Sequence, residues 1–211
     1  MVISPEMTGV ALRGAELVRL AAGGRIDIAK GRINVLDAAP TGDAEADAAL
    51  AGLAAQSPPW ALAWCSRPPR GICDAYLARL AAAGIIHAEQ RTRFGFFRVT
   101  RWQIIDQGRA IDARTRLDAI AQGTGQVGLA EAGYGGLAHA TGLAARLYPG
   151  RDNRALRRRL EQIAAGRLTA RTAGRGDLTV PDAVASAVRV AVSAAQDARV
   201  AGYGGRYLWP G

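Results

Sequence analysis

The sequence predicts a mainly α chain: a single globular multi-helix domain over residues 1–211, with one or two β-hairpins. Three observations predict it. The 211 residues are 49% hydrophobic, enough to build a core without covalent staples. The apolar mass is mostly alanine, with aromatics at only 6%, and that bias suits helices better than sandwich strands, which draw on β-branched and aromatic side chains. Two helical stretches each run into a glycine and then into a short alternating segment, the sequence pattern of a helix feeding a hairpin.

Residues 9–22 read as a helix, with Val10, Leu17, Val18 and Ala21 on one side, stopped by Gly23-Gly24. Arg25-Ile26-Asp27-Ile28 and Arg32-Ile33-Asn34-Val35 alternate on either side of Lys30-Gly31, which predicts a hairpin. Asp43, after the Pro40-Thr41-Gly42 break, is placed to cap an alanine-rich helix over 44–55. Pro58-Pro59 and Pro68-Pro69 bracket Trp60 to Cys65, whose type the pattern leaves open. A second helix over 72–83 ends near Gly84, and strands starting at Ile85 and running from about Phe96 to Trp102 follow. Leu17 to Ala22 and Leu77 to Ala82 echo each other, each followed by glycine and isoleucine. Further helices are expected at 110–122, 129–147, 152–165 and 181 to about 200, with Pro181 at a first helical position. Residues 167–180 read as a loop and 201–211 as a flexible tail.

The charge balance narrows the partners. Lys30 is the only lysine among 27 basic residues, and the net charge of +9 points to an acidic partner: nucleic acid, an anionic membrane face or an acidic protein. Cys65 and Cys73, the only cysteines, build neither a disulfide framework nor a four-ligand zinc site, and are expected as reduced filler. No secretory signal is expected after Met1, and no apolar run reaches the length of a membrane span. The best candidate, Gly128 to Tyr148, carries Glu131, His139 and Arg146. Membrane contact is therefore expected to be peripheral, from a cytoplasmic protein.

Little points to catalysis. Gly123-Thr124-Gly125-Gln126-Val127-Gly128 spells a dinucleotide fingerprint, yet a helix precedes it where that site needs a strand, so a loop between helices is expected. His87 and His139 stand outside any ligand spacing, and the acidic pairing of Asp43, Glu45 and Asp47 suits a helix start. The sequence predicts a non-enzymatic protein with no catalytic residue, no metal and no cofactor.

The informative segment is Arg91 to Trp102. The chain's three phenylalanines, Phe94, Phe96 and Phe97, crowd one glycine at a hairpin tip, where polar residues are usual, and arginines flank them. Facing inward, the rings pack a hairpin. Facing outward, they form an apolar wedge with a cationic collar suited to a membrane interface. A second basic cluster, eight arginines within residues 151–175, places Arg154, Arg157 and Arg158 on one helix face. That face is either solvated or a patch for phosphates.

The order of motifs resembles the Golgi phosphoprotein 3 family, particularly its bacterial branch. Leu12-Arg13-Gly14-Ala15-Glu16-Leu17-Val18, Gly24-Arg25-Ile26 and Asp37-Ala38-Ala39-Pro40-Thr41-Gly42-Asp43 carry the likeness. Ala83-Gly84-Ile85-Ile86, Phe94-Gly95-Phe96-Phe97, Thr100-Arg101-Trp102 and Leu147-Tyr148-Pro149-Gly150 continue it over about residues 8–166. The resemblance implies a mainly helical domain with an exposed hydrophobic hairpin, in eukaryotic members a peripheral membrane protein recognising phosphatidylinositol 4-phosphate. It implies that Arg13 contacts lipid phosphate and that Arg70 is the first of a spaced arginine pair, whose second position here is Cys73. The family's tryptophan upstream of the Leu-Arg-Gly motif has no counterpart before Arg13.

These readings converge on a peripheral protein that binds anionic phospholipid headgroups. Arg13 and Arg70 are expected on phosphate, Phe94, Phe96 and Phe97 in the bilayer, and Arg91, Arg93, Arg98 and Arg101 as less specific attraction. The alternative is a winged-helix-like nucleic-acid-binding module, since a helix followed by a hairpin also describes that fold. Against it, residues 72–83 offer only Arg79 to read bases.

Overall fold

The computed structural model describes residues 5–55, 59–93 and 97–168, together with residues 190, 191, 193, 194 and 197. The protein is mainly α. In chain order the described elements are α1 (Pro5–Ala22), β1 (Ile26–Ala29), β2 (Arg32–Val35), α2 (Ala44–Ala54), α3 (Ala61–Ser66), α4 (Ile72–Ala82), β3 (Ile86–Arg93), β4 (Phe97–Ile104), α5 (Gln107–Gln122), α6 (Leu129–Ala140), α7 (Leu143–Leu147) and α8 (Arg154–Ala164). The chain divides into two compact units, one formed by Met1–Pro69 with Ile120–Gly211 and the other by Arg70–Ala119.

In the first unit α1 is the central helix. It packs against β1, α2, α3 and α6, and Leu17, Leu20 and Ala21 are at most 1% exposed. Close approach needs small residues. A Cβ on Gly133 of α6 would stand 2.2 Å from Val18 Cγ1, and one on Gly14 would stand 2.4 Å from Ala191 Cβ. At the end of α1, Gly24 adopts φ +67 and closes a Schellman motif: its N–H reaches the Ala21 carbonyl, and the Arg25 N–H reaches that of Leu20. The chain then enters the β1–β2 hairpin, with Ile26 opposite Val35 and Ile28 opposite Ile33. Its two-residue turn, Lys30-Gly31, has both φ values positive, as a type I′ turn requires. Ile26, Ile28 and Ile33 face the core.

The loop from Asp37 to Asp43 is held by its own polar groups. The Arg25 guanidinium pairs with Asp37, whose other oxygen accepts from the Ala39 N–H at 2.8 Å. Thr41 donates through both its N–H and its hydroxyl to Asp47, each at 2.6 Å. Those bonds hold the Asp47 carboxyl below its usual range. Asp43 caps α2 through the Ala46 N–H at 3.0 Å and takes an ion pair from Arg19 at 2.8 Å. The stretch between the prolines is a helix, α3, attached to the hairpin by a Ala61 N–H bond to the Gly31 carbonyl and a Ile33 N–H bond to the Pro59 carbonyl.

The second unit repeats the plan. The α4 helix ends in the same motif, with Gly84 at φ +68 and the Ile85 N–H on the Leu80 carbonyl. The β3–β4 hairpin then runs for eight rungs from Ile86 opposite Ile104 to Arg93 opposite Phe97.

Two expectations change. The single helix expected over 129–147 is two helices, α6 and α7. Thr141 turns its hydroxyl back onto the Leu137 carbonyl at 3.0 Å, and Gly142 takes φ +74, which ends one helix before the next begins. The helices α1 and α5 each begin a few residues earlier than expected, α5 behind Asp106, whose carboxylate accepts the Arg109 N–H at 3.0 Å. Gly123 to Gly128 is a loop between α5 and α6, as expected, and Val127 donates to the Leu168 carbonyl. The helix expected from 181 falls outside the described residues except at 190, 191, 193, 194 and 197, which are helical, and the tail at 201–211 lies outside them.

Candidate functional site

Arg13 lies on α1 with its side chain 13% exposed. Its Nη1 donates to Glu16 Oε2, one helical turn on, at 2.8 Å. Its guanidinium carbon sits 4.0 Å from the centroid of Trp64 on α3, a stacking that suits a planar, weakly hydrated cation in a partly dry setting. Gly52 on α2 makes room for the same indole, since a Cβ there would stand 3.2 Å from its far edge. Two donors in this cluster, Arg13 Nε and Trp64 Nε1, are buried without a hydrogen-bond partner. Leaving a donor buried and unmet costs about 1–3 kcal/mol, so the cluster favours an acceptor near it. Cys65 completes the cluster: burial pushes its thiol up to about 12, with Arg13 pulling the other way, so it stays a neutral thiol.

Sequence reasoning placed Arg13 at a site but missed Glu16, Trp64 and Cys65 around it. The helical spacing of Arg13 and Glu16 was a visible signal. The arrival of Trp64 was not, because it depends on how α3 docks. Arg70, the other residue assigned to phosphate, falls in the second unit. It is exposed and stands just before Gly71, which takes φ +80 as the N-cap of α4.

The remaining candidates share the β3–β4 ladder. Arg91 stands opposite Val99, Thr92 opposite Arg98, Arg93 opposite Phe97, and Glu89 opposite Arg101. Phe94 and Phe96 lie outside the described residues, as do the side chains of Arg93, Phe97 and Arg98, so only the backbone register places these three. Arg91 and Arg101 are exposed. The Arg91 Nε meets Glu89 Oε1 at 3.0 Å, and Gln103 donates to the other oxygen of Glu89. The Arg91 bond above all, then Gln103 and the nearby charge of Arg101, hold the Glu89 carboxyl below its ordinary range. On the neighbouring strand positions Trp102 and Ile104 are exposed, 37% and 53%. Next to the first hairpin, Leu36 is 63% exposed.

A further basic feature is an open cleft of about 600 Å³ lined by His139, Gly142 and Ala145 on one side and by Arg154, Arg158 and Glu161 of α8 on the other. Arg157, also on this wall, donates to the carbonyls of Tyr148 and Gly150. Arg159 is turned away from the cleft and holds the α5–α6 connection, donating to the Ile120 and Gly125 carbonyls at 2.8 Å each. Among the described residues no helix is long and apolar enough to cross a membrane, and no group of three His, Cys, Asp or Glu side chains could hold a metal ion.

Compared with known proteins, residues 2–195 match the family model described as Golgi phosphoprotein 3 (GPP34). That match covers most of the chain, and the protein belongs to that family. None of the curated proteins compared with the chain matches it.

Proposed function

We propose that this member of the Golgi phosphoprotein 3 family is a non-enzymatic peripheral membrane protein that docks on anionic phospholipid surfaces through its second hairpin, from the cytosolic side. The observation that carries the reading is that hairpin: an eight-rung ladder with Arg91 and Arg101 exposed, whose strands end in sequence on either side of Phe94 and Phe96. Each ring buried among acyl chains contributes roughly 1.5–3 kcal/mol, and each arginine near an anionic surface about 1 kcal/mol. Two rings with three arginines therefore suffice for reversible attachment without a lipid anchor.

Arg70, exposed at the start of α4, is free to reach a headgroup phosphate, with phosphatidylinositol 4-phosphate as the ligand the family suggests. Arg13 offers a phosphate contact of its own through the donor-rich cluster it forms with Trp64, whose unmet N–H groups an acceptor would satisfy. With Cys73 where a second arginine would stand, bidentate grip is reduced, so selectivity among anionic lipids is expected to be modest.

Co-sedimentation with vesicles tests this reading. The expected result is binding to vesicles containing phosphatidylserine or phosphatidylinositol 4-phosphate, little to neutral phosphatidylcholine, and loss on changing Phe94, Phe96 and Phe97 together to serine. Equal binding to neutral and anionic vesicles overturns it. A salt-dependent gel shift with duplex DNA, unaffected by the serine changes, favours nucleic acid instead.

A further inference from the structure

The helix α8 is electrostatically out of place. Helix N-termini carry partial positive charge and favour acidic residues, yet the first turn of α8 has none. Instead Arg154, Arg157 and Arg158 occupy its first two turns on one face, while Leu160, Ile163 and Ala164 on the other are buried. Folding requires only the buried face. The cationic face adds like-charge repulsion at i, i+3 and i+4 spacing, which weakens a helix unless something compensates.

The compensation available within the chain is small. Among the described residues, neither Arg154 nor Arg158 pairs with a carboxylate, and Glu161 is the one acid on the wall of the cleft. Arg157 is fixed in place by the Tyr148 and Gly150 carbonyls, which sets one guanidinium rigidly while Arg154 and Arg158 stay exposed beside it. Opposite them the wall is built from His139 and the small residues Ala140, Gly142, Ala144 and Ala145. The small residues leave the space open, and that wall brings no carboxylate to the guanidinium donors. A concave cationic wall concentrates anions more strongly than a flat one, and a volume of about 600 Å³ is that of a small-molecule site.

We propose that this cleft is a second anion site, which takes a phosphate monoester or diphosphate group held by Arg154 and Arg158, with Arg157 as the fixed cation behind them. Three arginines against one glutamate leave an excess of two positive charges, matched to a dianionic group. The site is independent of the hairpin reading: it shares no residue with it. The phosphate can belong to a soluble metabolite or to the headgroup of a lipid such as phosphatidic acid, and the two sources are distinguished by experiment.

The full chain is titrated calorimetrically with inorganic pyrophosphate and, separately, sedimented with vesicles containing phosphatidic acid. Three proteins are compared: the wild type, the double variant Arg154→Ala/Arg158→Ala, and the double variant Arg151→Ala/Arg167→Ala, which removes equal charge from exposed positions outside the cleft. Circular dichroism confirms that each folds. The expected result is saturable pyrophosphate binding by the wild type, weakened by about tenfold or more in the cleft variant and little changed in the control. Weakening confined to phosphatidic acid vesicles also supports the site and assigns it a lipid source. Equal weakening in both variants, or no weakening in either, overturns it. The triple serine variant of the hairpin retains pyrophosphate binding if the two sites are separate in function, so failure of one reading is visible apart from failure of the other.

Discussion

The two helix–hairpin units of this chain share their local construction and differ in what covers it. Residues 17–25 and 77–85 close their helices with matching bonds: Gly24 to Ala21 and Arg25 to Leu20 in the first, Gly84 to Ala81 and Ile85 to Leu80 in the second. Both hairpins then return onto the residue that opened them, Leu36 and Asp37 onto the Arg25 carbonyl, Ile105 and Asp106 onto that of Ile85. Yet Leu20 is 1% exposed and its echo Leu80 is 37% exposed. The difference lies in neighbours. The α1 helix is wrapped by α2, α3 and α6, whereas α4 packs on its own hairpin strand β3. A local motif sets backbone geometry; its burial, and hence its use as core or as surface, is set by what the rest of the chain brings to it. The first hairpin is short and apolar and locks the core. The second is twice as long per strand and is free to carry cations.

The sharpest way to break this comparison is a matched pair of substitutions. Ile33 stands opposite Ile28 in the first ladder, and Ile104 stands opposite Ile86 in the second. Ile33 is 1% exposed and Ile104 53%. Ile33→Ala is expected to cost about 2–5 kcal/mol in chemical denaturation, and Ile104→Ala less than about 0.5 kcal/mol. Comparable losses would mean that the second hairpin is as much core as the first.

A smaller effect tests why α1 is covered. Gly133→Ala pushes a methyl group against Val18, and this overpacking is expected to cost about 1–3 kcal/mol. Adding Val18→Ala to the same chain should recover part of the loss, because the clash is with that side chain. Absence of recovery would show that the α1–α6 approach is not what Gly133 serves.

The caps should behave alike despite these differences. Gly24 and Gly84 hold φ +67 and φ +68, and alanine in the left-handed region costs about 1 kcal/mol at either place. Thermal melts of Gly24→Ala and Gly84→Ala, each read by probes in its own unit, are expected to show similar local destabilisation.

Much of this was legible because it is local. Alternation around Lys30-Gly31 gave the first hairpin with its turn, Asp43 announced α2, and the echo at Leu77 to Gly84 announced the second helix–hairpin unit. The motif order gave the family. The fold departs from the reading where alanine-rich sequence offers no periodic contrast, as at Thr141-Gly142, where a hydroxyl back-bond and one positive φ end a helix. The stacking of Trp64 on Arg13 and the closing of a cleft around Arg154 and Arg158 were invisible for a different reason. Both join residues from separate helices, and no spacing along the chain encodes how helices dock. The arginine face of α8 was visible, but not the small-residue wall that turns it into a cleft.

The smallest expected effect concerns charge on the second hairpin. Asp47 in the first unit and Glu89 in the second are both held below their ordinary range by hydrogen bonds, from Thr41 and Arg91 respectively. A depressed folded-state value means that each contributes stability above the unfolded value, near 3.8 for Asp47 and 4.5 for Glu89, and loses it as the pH falls through the folded one. Both contributions are therefore constant from pH 7 to about pH 5 and fade only in acid. Their roles differ: Asp47 fixes a loop, while Glu89 restrains a cation that membrane docking would use. Glu89→Gln is expected to leave the fold intact, free Arg91, and strengthen binding to anionic vesicles by up to about fivefold, since each added positive charge near the surface is worth about 1 kcal/mol. The gain should shrink as salt is raised, because exposed charges are screened within about 10 Å at 0.1 M. A variant that binds no more tightly than the wild type at low salt would place Arg91 away from the docking face and leave the second hairpin's length without a use in attachment.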